Sequence, residues 1–192
     1  MYLKRNKELE LLALYREDYK TRFYLRQISV LSKLPLKTVQ TILYRLEKQH
    51  ILKTTLEGKN KYFSLNLDNI HTKFFLLQTE IYKTTLFLEA YPVFKTFLKS
   101  FSTSVPFLGF GCFASFKAGK YSDVDFLLLS KKNQKLPFHL LSYKPHLITL
   151  SASSFTKALY AQETLIKEIM DHHIILNNHS FYVNIMWDYY GT

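Results

Sequence analysis

The stretch Phe110-Gly111-Cys112-Phe113-Ala114-Ser115-Phe116-Lys117-Ala118-Gly119-Lys120-Tyr121-Ser122-Asp123-Val124-Asp125 runs straight into Phe126-Leu127-Leu128-Leu129. The final apolar run reads as a buried strand, and two carboxylates, Asp123 and Asp125, stand at its entrance. Side chains alternate faces along a strand, so this pair points the same way. Like charges on one face repel, and each is costly to take out of water. Packing gives no reason for such a pair, whereas a shared divalent cation does. Hard oxygen ligands suit magnesium or manganese, which take one or two carboxylates and complete their shell with water and substrate phosphates. The glycine-containing turn before the strand lets the backbone come close to those phosphates.

The same residues resemble the signature of the minimal nucleotidyltransferases, relatives of DNA polymerase beta, in which Gly-Ser opens a short helix and Asp-x-Asp lies on the next strand. Phe110 before the glycine, Ala114 three residues after it and Ser122 immediately before Asp123 fit that pattern. The resemblance implies a mixed sheet flanked by helices, with Asp123 and Asp125 as catalytic residues and metal ligands. It places Gly111, Cys112 and Ser122 at the phosphates of a nucleoside triphosphate, helped by Lys117 and Lys120, with Mg (or Mn) as cofactor. The sequence departs from the pattern at three points. Cys112 replaces a serine and is a weaker hydrogen-bond donor. Phe116 replaces a small residue. The family's third acidic residue, a metal ligand or base on a later strand, has no counterpart, because no Asp or Glu lies between Phe126 and Gln162. The strand expected there, His146-Leu147-Ile148-Thr149-Leu150, offers only His146 as a base.

Working outward, Val105 to Gly109 reads as the strand entering the motif, Phe138 to Tyr143 and His146 to Leu150 as later strands, and Lys131 to Lys135 as a polar turn. Much of the chain from Ser154 onward reads as helix, capped by Ser153 or Ser154 and burying Phe155, Leu159, Ile166 and Met170. Ile174-Ile175-Leu176 is expected to be a short break before a last segment, Phe181 to Trp187. Upstream, Pro92 opens a helix whose Phe94, Phe97, Leu98 and Phe101 have the spacing of a core stripe. The long helix from Ile70 to Glu89 carries Phe74, Leu77, Ile81 and Phe87, which are expected to pack against the second domain or, as the alternative, to form a homodimer seam.

The N-terminal third has a different character. Residues 1–66 carry 14 Lys and Arg against 6 Asp and Glu, a net charge of +8 out of +11 for the chain. Such an asymmetry favours a polyanionic partner. Helices are expected from Lys7 to Asp18, from Leu25 to Ser32 burying Leu25, Ile28 and Leu31, and from Pro35 on, with Val39, Ile42, Leu43 and Leu46 as one stripe. Strand-like segments Ile51 to Leu56 and Lys61 to Leu65 flank Glu57-Gly58-Lys59-Asn60, a hairpin. Residues 5 to 66 thus resemble a winged helix-turn-helix domain. By position, Lys37, Thr38, Gln40 and Thr41 would face bases of double-stranded DNA, and Arg45, Lys48, Lys59 and Lys61 would neutralise phosphates. The plainer reading of that face is an ordinary solvated helix on a protein-protein adaptor.

The expected fold class is therefore α+β in two domains, a winged helix-turn-helix over 1–68 and a linker helix with a nucleotidyltransferase-like domain over 69–192. At 47% hydrophobic the chain can build both cores. No apolar run approaches the ~18 residues a membrane helix needs, and Met1 to Glu8 does not resemble a signal peptide, so no membrane and a cytoplasmic location are expected. One cysteine fits a reducing compartment. The histidines give no zinc spacing, and His172-His173 is expected to be a solvated or partly packed pair. Two functions follow: transfer of a nucleoside monophosphate to an acceptor hydroxyl by a DNA-bound enzyme, or transcription regulation in which the second domain only binds nucleotide or mediates assembly.

Overall fold

The computed structural model describes residues 5–102, 104–132 and 134–191, so Asn133 of the expected polar turn lies outside the described residues. The chain forms two units of α+β structure, one made of residues up to Thr79 together with those from Met186 on, the other of Glu80–Ile185. Helices α4 (Ile70–Ala90) and α9 (His179–Gly191) each carry residues of both.

In the first unit α1 (Lys7–Leu12) is capped by Asn6, whose side chain accepts from the Glu8 and Leu9 amides. It tightens into a single 3-10 turn over Ala13–Tyr15 and does not reach Asp18 as expected. Asp18 instead accepts from the Lys20 amide at 2.8 Å, an Asx-type bond that competes with helix. After β1 (Arg22–Tyr24) come α2 (Leu25–Ser32) and α3 (Leu36–Lys48). Ile28 is buried, but Leu31 is exposed, contrary to expectation. Left-handed Lys33 (φ +55°) turns the chain after α2, and Leu34 takes the buried place. On α3 all four stripe residues, Val39, Ile42, Leu43 and Leu46, are buried. β2 (Leu52–Glu57) and β3 (Asn60–Leu65) form the hairpin, with Gly58 at φ +59° in its two-residue loop. β1, too short to show an alternation, adds to the far side of β3, giving the order β1-β3-β2. Tyr15 donates to the Phe63 carbonyl beneath this sheet, and burial pushes its phenol pKa up.

Asn69 caps α4 by accepting from the His71 amide. Of the four apolar residues singled out, Phe87 is buried, Leu77 is half-buried and Phe74 and Ile81 are exposed; the other buried positions are Thr72, Leu76, Thr79, Glu80, Tyr82 and Thr84. Threonine suits a buried helix face when its hydroxyl bonds back to the preceding turn, as Thr79 does to the Phe75 carbonyl at 2.8 Å.

The second unit is built on a four-stranded sheet in the order β6-β5-β4-β7. β4 (Phe107–Phe110) runs antiparallel to β5 (Val124–Leu129) and to β7 (His173–Asn177), while β6 (Pro145–Leu150) is parallel to β5. One face carries an aromatic core in which Phe94 and Phe97 of α5 (Val93–Lys99) meet Phe107 and Phe126, fully buried as the helical spacing predicts. The segment expected as a strand, Phe138 to Tyr143, instead holds a 3-10 turn over Phe138–Leu140. A parallel partner needs a crossover, and this segment belongs to it, with Phe138 stacked on Phe97 and Phe126. Ile174 to Leu176, expected as a break, are strand residues of β7, each buried. α7 (Ala152–Tyr160) is capped by Ser151 and not by Ser153 or Ser154, and left-handed Gln162 separates it from α8 (Thr164–Asp171). Phe155, Leu159 and Ile166 are buried as expected, and Ile169 rather than Met170 completes the face.

Of the two histidines expected to be a solvated or partly packed pair, His172 is exposed and His173 is buried. Its Nδ1 lies 3.1 Å from the carbonyls of Ile169 and Met170, and toward carbonyls it can only donate. Its Nε2 then faces Glu80 Oε1 at 3.2 Å, both side chains 1% exposed, and one proton must lie between them. Removing one partner leaves the other buried without its mate. Glu80→Ala or His173→Ala should therefore cost about 3–5 kcal/mol in urea unfolding, and the double variant less than the sum of the two.

Candidate functional site

β4 ends at Phe110, and Gly111 turns the chain into the short α6 (Gly111–Ala114) at φ +70°. The antiparallel register sets Phe110 opposite Asp125. A Cβ at Gly111 would stand 2.9 Å from Asp125 Oδ2, so glycine is required there both for its backbone angle and for the space the carboxylate occupies. Asp123 precedes β5 by one residue, and its charge reaches Asp125. Burial raises the pKa of the Asp125 carboxyl, His146 opposes that rise, and the Asp123 carboxylate adds to it. On the other side, the parallel register brings His146 of β6 opposite Asp125, with Nδ1 3.7 Å from Oδ1.

The remaining motif residues form the loop between α6 and β5. The Cys112 thiol donates weakly to the Asp123 carbonyl at 3.7 Å, tying the helix to the strand entrance. Ser122 Oγ accepts from the Gly119 amide at 2.9 Å. Lys117 and Lys120 are exposed, Lys120 lying 5.5 Å from the centroid of the Tyr121 ring. Phe116, left-handed at φ +59°, stacks against Tyr91 and carries the Lys83 ammonium on its ring. Its size therefore serves the aromatic core.

Two carboxylates on one edge suit a hard cation that draws its other ligands from water and phosphate. Among the described residues no group of three or more His, Cys, Asp or Glu side chains is arranged to hold a metal ion. The Glu80–His173 pair was missed from sequence because its members lie 93 positions apart. Its only local signal is Glu80 itself, an acid among Thr79, Tyr82 and Thr84.

In the first unit Lys37, Gln40, Thr41, Arg45 and Lys48 are exposed on α3, with Thr38 half-buried, and Lys59 and Lys61 lie on the hairpin. Two of these cations are engaged within the protein. Arg45 pairs with Glu8, and Lys61 reaches Glu47 at 2.7 and 2.8 Å, holding that carboxyl below its usual range. Lys37, Lys48 and Lys59 are in no ion pair among the described residues. No helix among the described residues is long and apolar enough to cross a membrane.

No protein-family model matches the chain, and neither a curated protein nor a solved structure matches it.

Two outcomes test the local geometry. Gly111→Ala should destabilise the protein by at least about 1–2 kcal/mol in denaturant unfolding, since alanine is strained at positive φ and meets the carboxylate as well. Asp125, with its pKa raised in the fold, binds its proton more tightly there than in the unfolded chain. Its contribution to stability is thus lost as pH rises from its ordinary 3.8 through the raised folded value. Asp125→Asn should gain stability relative to the unsubstituted protein across that window, read from melting temperatures on either side of it.

Proposed function

We propose that the chain is a nucleic-acid-binding protein whose second unit binds a nucleoside triphosphate with a divalent cation and transfers the nucleoside monophosphate to an acceptor hydroxyl. The carrying observation is the Asp123–Asp125 edge set against the Gly111 turn, where burial raises the Asp125 pKa, His146 opposes that rise and the Asp123 carboxylate adds to it. Magnesium or manganese fits these two oxygen donors and would neutralise charge on the phosphates. The α6 turn with Gly111 and Cys112, the Ser122 hydroxyl and the Lys117 and Lys120 ammonium groups are the phosphate contacts in this reading. In the transfer the acceptor oxygen bonds to the α-phosphorus, the bond to pyrophosphate breaks, and pyrophosphate leaves. His146, exposed beside Asp125, is the group that takes the acceptor's proton. The first unit's helix pair and hairpin support a winged helix-turn-helix reading, with Lys37, Thr38, Gln40 and Thr41 toward bases of duplex DNA and Lys48 and Lys59 toward phosphates.

A second reading is favoured by the sequence, in which no Asp or Glu lies between Phe126 and Gln162 to supply a third carboxylate. In it the second unit binds nucleotide without turnover and the protein regulates transcription.

Calorimetric titration with nucleoside triphosphates separates the two. Magnesium-dependent binding should weaken at least about tenfold in Asp123→Asn and Asp125→Asn, the scale of one lost charge contact. Pyrophosphate release abolished by Asp123→Asn supports transfer, and binding without release supports the regulator. Nucleotide binding unaltered by both substitutions would refute the site. For the first unit, Lys48→Ala should lower duplex affinity and reduce the slope of log affinity against log salt by about 1.

A further inference from the structure

Beside α3 the first unit has an open groove of about 1070 Å³. One wall is the α3 face made by Gln40, Tyr44 and Glu47, spaced by four and three residues, and the other is the hairpin edge from Lys59 to Lys61. Phe63 also lines it, and Tyr24 and Arg26 lie at the junction of β1 and α2. Tyr44 is 68% exposed on a helix whose apolar residues are otherwise largely buried, so packing does not account for it. Tyr24 meets Tyr62 edge to face at 5.9 Å, and the Lys61 ammonium lies 5.4 Å from the centroid of the Phe63 ring. Arg26 and Lys59 are in no ion pair among the described residues.

Duplex DNA is read by a convex element entering its groove, and in a duplex the faces of the bases are covered by their neighbours. A concave strip of aromatic rings bordered by cations matches the other form of nucleic acid, in which unpaired bases stack on side chains and the backbone follows positive charge. Building on the nucleic-acid reading above, we propose that this groove binds single-stranded nucleic acid, with an unpaired base stacked on Tyr44 and phosphates on Arg26 and Lys59. Gln40 and Asn60 offer amides to base edges. Glu47, the one carboxylate of the lining, is paired with Lys61 and so presents no free negative charge to the groove.

The test uses the full chain and fluorescence anisotropy with labelled thymidine and uridine homopolymers of about 12 nucleotides, a length typical of single-strand sites, and with a blunt duplex. Tyr44→Ala should weaken homopolymer binding roughly 5- to 100-fold, as expected for the loss of one stacked base, while Tyr44→Phe keeps it and duplex affinity changes little. Lys59→Ala should reduce the single-strand salt slope by about 0.7. The ratio of thymidine to uridine affinity tells whether DNA or RNA is the source. Duplex binding with no homopolymer binding, or homopolymer binding indifferent to Tyr44→Ala, overturns the proposal while the duplex reading stands. Homopolymer binding that depends on Tyr44 with no duplex binding overturns the duplex reading and leaves the groove. Tyr44 is exposed, so its substitution leaves the core intact.

Discussion

The carboxylate of Asp125 occupies the space that any side chain at position 111 would need. This single exclusion joins the end of β4, the start of α6 and the entrance of β5, because only glycine can make the turn with the carboxylate in place. Around it the sheet is ordinary: its aromatic face is filled by Phe94, Phe97, Phe107 and Phe126, and its strands are buried runs. The cost lies at one edge, where a half-buried carboxylate has a second carboxylate within its field and a single imidazole nearby.

The first unit treats charge differently. Its +8 excess over residues 1–66 suggests a uniform basic surface, yet Arg45 and Lys61 are each tied to a carboxylate of the same unit. Among the described residues of this stretch the cations in no ion pair are Lys7, Lys20, Arg26, Lys33, Lys37, Lys48 and Lys59, a narrower footprint than the sequence total implies. Net charge therefore describes the field felt at a distance, and the ion pairs decide which side chains can meet a phosphate without first breaking a contact.

What could be read from the sequence was what depends on near neighbours. The α3 stripe, the α5 phenylalanines and the Asp-x-Asp edge all follow from spacings of a few residues, and so does β6 with His146 at its start. What could not be read depends on partners far away. β7 looked like a break because a short apolar run has no period of its own, and Phe138 to Tyr143 looked like a strand because nothing local says that β6 pairs with β5 in parallel. The apolar residues of α4 misled for a related reason: threonines that satisfy their own hydroxyls can lie inside while Phe74 and Ile81 lie outside. At the candidate site the contacts were not legible, since the approach of Asp125 to Gly111 depends on strand register.

The closing turn of α9 adds one more consequence. Tyr190 stacks on Tyr19 with ring centroids 5.0 Å apart, and its hydroxyl donates to the Glu17 carbonyl at 3.4 Å. The first unit is thus completed by residues made more than 160 positions later than those they cover. During synthesis on the ribosome, α1 to β3 emerge long before their lid. The intervening sheet has the opportunity to fold first, and Tyr19 stays without that aromatic cover until translation has passed position 190.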